Sequence, residues 1–214
     1  MDGYGWAHRV LDDVVLGERA ARDIRYYVET RAGRRYERLD EGTGLGEDAD
    51  AFTAADVVAT MALSLPWHGY SALSHLNACL DNLNAMLAEV PHTPMHEADA
   101  ADYAPDGPAD RMWQALTDLD GITPVIAGKL LARKRPHHVP VHDRLVLGVL
   151  GQPEDLWLCL HSWFAADPAR AAGVAEVRER SGLCAASSLL RCVDIALWMY
   201  GKRLAPVLQV VPMP

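Results

Sequence analysis

The sequence predicts an all-α bundle, and three observations carry that reading. Apolar residues recur at intervals of three and four along most of the 214-residue chain, the spacing of one helical face. Capping and breaking residues punctuate these stretches at ordinary helix lengths. No stretch before the C-terminal tail alternates apolar and polar residues as a half-buried strand does. Half of the residues are apolar, which supports a substantial core in a chain of this length. Residues 1–214 are therefore expected to form a single compact α-helical unit. Within it, N-terminal helices and an acidic loop occupy 1–50, a helical core occupies 51–203, and an extended tail docks over 204–214.

From Trp6 to Arg31, Val10, Val14, Val15, Leu16, Ala20, Ile24 and Tyr27 fall at helical spacing, which predicts one bent helix or two short ones. Gly42, Gly44 and Gly46 break the chain among acidic residues and predict a loop. Thr53 is a good N-cap for the next helix, with Phe52 and Val57 placed as a hydrophobic staple and Pro66 ending it after Leu65. Leu73, Leu76, Leu80, Leu83 and Leu87 make residues 70–90 the clearest amphipathic helix. The acidic, proline-marked segment 91–107 predicts an exposed connector. Pro108 suits the first turn of a helix that buries Met112, Trp113, Leu116 and Leu119. Further helices are predicted over 154–166, 168–180 and 185–200, the last stopping at Gly201.

No apolar run reaches the roughly 20 residues that span a bilayer, and the start lacks a basic-then-apolar leader, so a cytoplasmic protein without membrane contact is expected. Cys79, Cys159, Cys184 and Cys192 show no close pairing and read as buried free thiols rather than a disulfide framework or zinc site. The net charge of −9 would repel a polyanion if it were spread evenly. It is not: Asp99, Asp102, Asp106, Asp110 and Asp118 face a lone Arg111, whereas Arg133, Lys134 and Arg135 cluster within 129–144.

That basic cluster follows the most informative stretch of the chain. Residues 116–134 read as a helix, a tight hairpin from Asp120 to Thr123, and a second helix opening at Pro124. Unpaired N–H groups and the dipole at the start of such a second helix can hold a phosphate. Gly121, Thr123, Lys129, Arg133, Lys134, Arg135 and Arg144 are the candidate phosphate or DNA contacts. Pro136 and Pro140 then enforce an extended passage that delivers His142 and Asp143 to the start of a helix over 144–150.

In the hairpin, the extended Pro140-Val141-His142 passage and Asp143, the sequence resembles the helix-hairpin-helix DNA glycosylase superfamily over about 35 residues, from Met112 to Leu150. Over the whole chain it resembles a group of actinobacterial proteins of unknown function, which share Phe52-Thr53-Ala54-Ala55-Asp56, the run from Gly128 to Pro136 and Val139-Pro140-Val141. The first resemblance implies a helix-hairpin-helix bundle and puts the superfamily's catalytic aspartate on Asp143. It also implies departures. Thr123 replaces the hairpin's second glycine and narrows the available backbone conformations. The lysine of the bifunctional lyases falls on Val125, so a monofunctional hydrolase is implied, and the iron-sulfur cysteine spacing is missing.

Lys129 lies one turn after Val125 on the same face and can reach a pocket beside Asp143, where a partly dry amine has a perturbed pKa. Its alternative role is a solvated, phosphate-facing lysine. Asp143 is equally suited to cap the helix at Arg144. Trp113, Tyr103, Trp67 and Tyr70 are candidates to line a base pocket with Val125 and His142, while Trp163 and Trp198 read as core. His137, His138 and His142 are clustered, but Pro140 denies them a shared helical face, so no metal or other cofactor is expected.

Three functions follow. The first is a monofunctional DNA glycosylase that hydrolyses the N-glycosidic bond of a damaged or modified base. The second is an enzyme on the same scaffold acting on a small-molecule nucleoside or metabolite, in keeping with the acidic chain. The third is a non-catalytic helix-hairpin-helix module that binds nucleic acid or protein.

Overall fold

The computed structural model describes residues 3–36, 39, 48–63, 74 and 76–208. Among them all regular structure is helical, as the apolar spacing predicts. The helices are α1 (Gly5–Val15), α2 (Ala20–Thr30), α3 (Ala54–Met61), α4 (Leu80–Glu89), α5 (Pro108–Thr117), α6 (Pro124–Lys134), α7 (Arg144–Val149), α8 (Leu156–Ala166), α9 (Ala169–Ser181) and α10 (Leu189–Leu208). Among the described residues, no helix is long and apolar enough to cross a membrane.

Local chemistry sets most of the starts. The Thr53 N–H donates to the Asp56 carboxylate at 2.8 Å, closing the first turn of α3. Pro108 and Pro124 occupy first turns, where a missing N–H costs nothing. The Thr123 hydroxyl accepts from the Ile126 N–H at 3.3 Å, and Asp155 accepts from the Leu158 N–H at 2.9 Å.

The helices build two large apolar clusters. In one, Leu11 and Ile24 from the N-terminal helices meet Trp163, Val174 and Leu197 from the C-terminal ones. In the other, Leu83 and Leu87 of α4 meet Met112 and Leu116 of α5 and Leu130 of α6. Trp157 packs against both. A smaller group of Tyr36, Ala59, Ala132 and Val141 lies where α3 meets α6. The long α10 contacts α1, α2, α7 and α9, which brings the two ends of the chain together.

Three expectations are corrected. The last helix runs through Gly201 to Leu208 instead of stopping. A Cβ on Gly201 would lie 2.6 Å from Leu145 Cγ, so this glycine serves a close approach of α10 to α7, not a terminus. The tail is therefore helical to Leu208, and residues 209–214 fall outside the described set. Segment 91–107 is not a fully exposed connector, because it buries Met95 and Tyr103 and includes a 3-10 turn at Ala100–Tyr103. Cys159 and Cys192 are buried, Cys79 is half-buried and Cys184 is exposed. The glycine loop 42–46 and the start of the 70–90 helix, through residue 73, lie outside the described residues.

Candidate active site

The passage after α6 returns along that helix. Its contact is set by Gly128, where a Cβ would lie 2.4 Å from the Cβ of His142. Without a side chain there, the backbone at His142 lies directly against α6, and Asp143 follows at the N-terminus of α7. Asp143 Oδ1 accepts from the Leu145 N–H at 2.9 Å, which caps the helix and fixes the carboxylate. Asp143 Oδ2 faces Lys129 Nζ at 3.7 Å. The lysine also donates to the Leu63 carbonyl at 3.3 Å.

Lys129 and Asp143 line a cleft of about 390 Å³ between α2, α6 and α10. Its depth is charged. The side chain of Lys129 is 3% exposed and that of Asp143 is 21% exposed. Beside them Asp194 is buried, with one oxygen paired to the Arg191 guanidinium and the other, Oδ1, without a hydrogen-bond partner. Arg191 also donates to the Tyr27 hydroxyl at 2.7 Å. Trp198 and Tyr27 supply aromatic walls and stand edge to face, 5.8 Å apart.

Burial lowers the pKa of Lys129 below the usual lysine range, partly opposed by Asp143. Burial also pushes the Asp194 carboxyl up to about 6, against the pull of Arg191 and with a further push from Asp143. Perturbed groups of both signs thus share one cleft with an amine and two carboxylates, the setting in which acid-base chemistry occurs at moderate pH. Among the described residues, no three His, Cys, Asp or Glu side chains converge as a metal site.

The other expected pocket residues are dispersed. Val125 is half-buried and does not line the cleft. His142 is half-buried with its imidazole pKa lowered by burial, and its ring lies 6.4 Å from that of Trp113. Neither lines the cleft. Tyr103 is buried elsewhere, donating to the His138 carbonyl at 3.1 Å and stacking on that histidine's ring. Trp67 and Tyr70 lie outside the described residues. Gly121 and Thr123 are exposed in the turn between α5 and α6, Gly121 with φ of 85°, and Arg144 is exposed at the start of α7.

The basic run is corrected most sharply. Arg133, Lys134 and Arg135 are all buried. Arg133 and Lys134 converge on Asp56 at 2.9 and 2.6 Å, and Arg133 also donates to the Tyr36 and Leu39 carbonyls. Arg135 pairs with Asp50 at 2.5 Å and donates to the Val90, Ala49 and Leu87 carbonyls. Asp56 in the first turn of α3 and Asp50 just before that helix capture these cations, so their charge turns inward instead of toward a phosphate.

Cleft residues that escape the sequence reading include Tyr27, Arg191, Asp194 and Trp198. A signal for three of them exists, since Arg191, Asp194, Trp198 and Lys202 are spaced by three, four and four and form one stripe along an otherwise apolar helix. Trp198 packs against the main apolar cluster, as expected, and also forms a wall of the cleft.

An all-α chain with a buried charged cleft between its helices is the class that fold and site define. The chain belongs to a family of unknown function, DUF6308, whose model matches residues 20–201. Lys129, Asp143 and Asp194 all lie within that match. Neither the curated proteins nor the solved structures contain a match to the chain.

Proposed function

We propose that the cleft hydrolyses the N-glycosidic bond of a nucleoside unit, with Asp143 as its catalytic carboxylate, in a monofunctional enzyme of the helix-hairpin-helix glycosylase type. The observation that carries the proposal is the position of Asp143. It is fixed by the α7 N-terminus, lines a cleft of about 390 Å³ and lies 3.7 Å from an almost fully buried lysine. As the C1′–N bond breaks, positive charge develops on the sugar, and a fixed carboxylate stabilises it more in the transition state than in the ground state. The same carboxylate can take a proton from the attacking water. Water oxygen bonds to C1′, and the base leaves with the bonding electron pair and gains a proton. Lys129 supplies the countercharge to this half-buried carboxylate.

On DNA, the turn between α5 and α6 would hold the backbone through Gly121 and Thr123, with Arg144 nearby, and a flipped base would enter the cleft. A specific observation favours the second substrate, a free nucleoside or related metabolite. Arg133, Lys134 and Arg135 are committed to protein partners, and the remaining chain is strongly acidic, so little positive surface is left for a phosphate backbone.

The test is base release from free nucleosides and from duplexes carrying modified bases, with wild type and Asp143→Asn compared. Release that falls about 100-fold or more in the variant is expected. Binding without any base release, unchanged by Asp143→Asn, would instead leave a non-catalytic binding module.

A further inference from the structure

We infer that the mouth of the cleft is a phosphate subsite built from Arg31 and Lys202, both beside Trp198, and that the cleft takes a nucleoside phosphomonoester. The sugar and base part of this assignment rests on the glycosidic reading above. The phosphate part rests on its own observations.

The first is charge. Four cations line the cleft, Arg31, Lys129, Arg191 and Lys202, against two carboxylates, Asp143 and Asp194. Lys129 faces Asp143 and Arg191 faces Asp194. Arg31 and Lys202 have no carboxylate partner among the described residues. On a chain of net charge −9, two uncompensated cations at one opening focus the local field toward an anion.

The second is placement. The Arg31 guanidinium carbon lies 5.9 Å and the Lys202 ammonium 5.0 Å from the Trp198 ring centroid, and Arg31 is also 5.7 Å from that of Tyr26. Cation–π contacts hold both groups near one ring without consuming their hydrogen-bond donors. Arg31 and Lys202 are exposed, whereas Lys129 and Asp194 are buried, so the free cations mark the opening and the ionic pairs the depth.

The third is span. Asp194 and Lys202 lie on one face of α10, eight residues apart, about 12 Å along the axis at ~1.5 Å per residue. A nucleotide laid along that line has its phosphate at Arg31 and Lys202, its sugar beside Asp143 and its base toward Asp194. The unpartnered Asp194 Oδ1 is an acceptor that a base N–H can complete, relieving the cost of a buried unsatisfied group. A cleft of about 390 Å³ falls in the range of small-molecule sites. A terminal phosphate fits better than a phosphodiester chain, because a nucleic-acid backbone needs a continued track of cations and Arg133, Lys134 and Arg135 are buried.

The experiment titrates the full chain with a cationic pyrrolidine azasugar, with its 5-phosphate, and with an oligonucleotide carrying the azasugar internally. Wild type, the double variant Arg31→Gln/Lys202→Gln, and Asp143→Asn are compared, with melting temperature as the control for folding. The expected result is a preference of about tenfold or more for the 5-phosphate over the bare azasugar. That preference should vanish in the double variant and shrink as salt rises. Equal affinity for the two sugars, a preference that survives the double variant, no binding of either, or tighter binding of the oligonucleotide would each overturn the assignment. The two readings fail separately. If Asp143→Asn leaves azasugar binding intact while the phosphate preference still needs Arg31 and Lys202, the glycosidic reading falls and the phosphate subsite stands.

Discussion

Lys129 on α6 and Asp143 at the N-cap of α7 bring a buried ammonium and a half-buried carboxylate to within 3.7 Å of each other. The aspartate has two duties there, since one oxygen caps α7 and the other faces the amine. These duties separate by substitution. Asn caps a helix as well as Asp does, whereas Ala does not. Asp143→Asn should therefore lose only the countercharge and Asp143→Ala both contributions. Urea denaturation should rank wild type above Asn above Ala, with the Asn-to-Ala step costing about 1 kcal/mol. Equal stability of Asn and Ala would show that the cap contributes nothing.

Gly128 sets where that carboxylate sits. A methyl group at this position would lie 2.4 Å from the Cβ of His142, too close for either backbone to keep its place. Gly128→Ala should destabilise the fold by about 1–3 kcal/mol, the range for overpacking a tight contact. It should also weaken any ligand binding that depends on Asp143, by lifting the passage away from α6. A variant with wild-type melting temperature and ligand affinity would mean that the two segments separate without cost.

Much of this arrangement is legible in the sequence. Helix-spaced leucines, Thr53, Pro108 and Pro124 mark their helices because they act through neighbours a few residues away. The shared location of Lys129 and Asp143 is legible too, since one helical turn and one short extended passage fix it. The fate of Arg133, Lys134 and Arg135 is not. A basic run on an isolated helix is a solvated face, and its burial depends on Asp50 and Asp56, which come from a remote segment. Asp194 is hidden for a similar reason, because a lone acid in an apolar helix declares a role only when Arg191 and the cleft are seen with it. Gly201 misleads, since glycine serves close helix contact as readily as helix termination.

The buried basic run leads to a prediction that separates structure from binding. Asp56 is 2% exposed and takes Arg133 at 2.9 Å and Lys134 at 2.6 Å. Asp56→Ala strands two buried cations and removes the partner of the Thr53 N–H. The cost should be about 3–5 kcal/mol, typical of breaking a buried pair, and would appear as a large drop in urea midpoint at constant slope. A loss below about 1 kcal/mol would mean that water reaches both cations and that they remain available to an external phosphate.

Asp194 gives the stability of the protein a pH signature. Its carboxyl is raised to about 6 by burial from an unfolded value near 3.9. Between these values the folded chain holds a proton that the unfolded chain has released, so this group makes stability fall as pH rises from about 4 to about 6. Below that window both states are protonated and above it both are ionised, so its contribution is level on either side. Asp194→Asn cannot titrate, and its stability relative to wild type should therefore rise across the same window by an amount on the order of 1–3 kcal/mol. Urea unfolding of both proteins at pH 4, 5, 6 and 7 measures that difference directly. A difference that stays flat across all four values would show that Asp194 titrates alike in the folded and unfolded chain, and that the cleft lets solvent reach it.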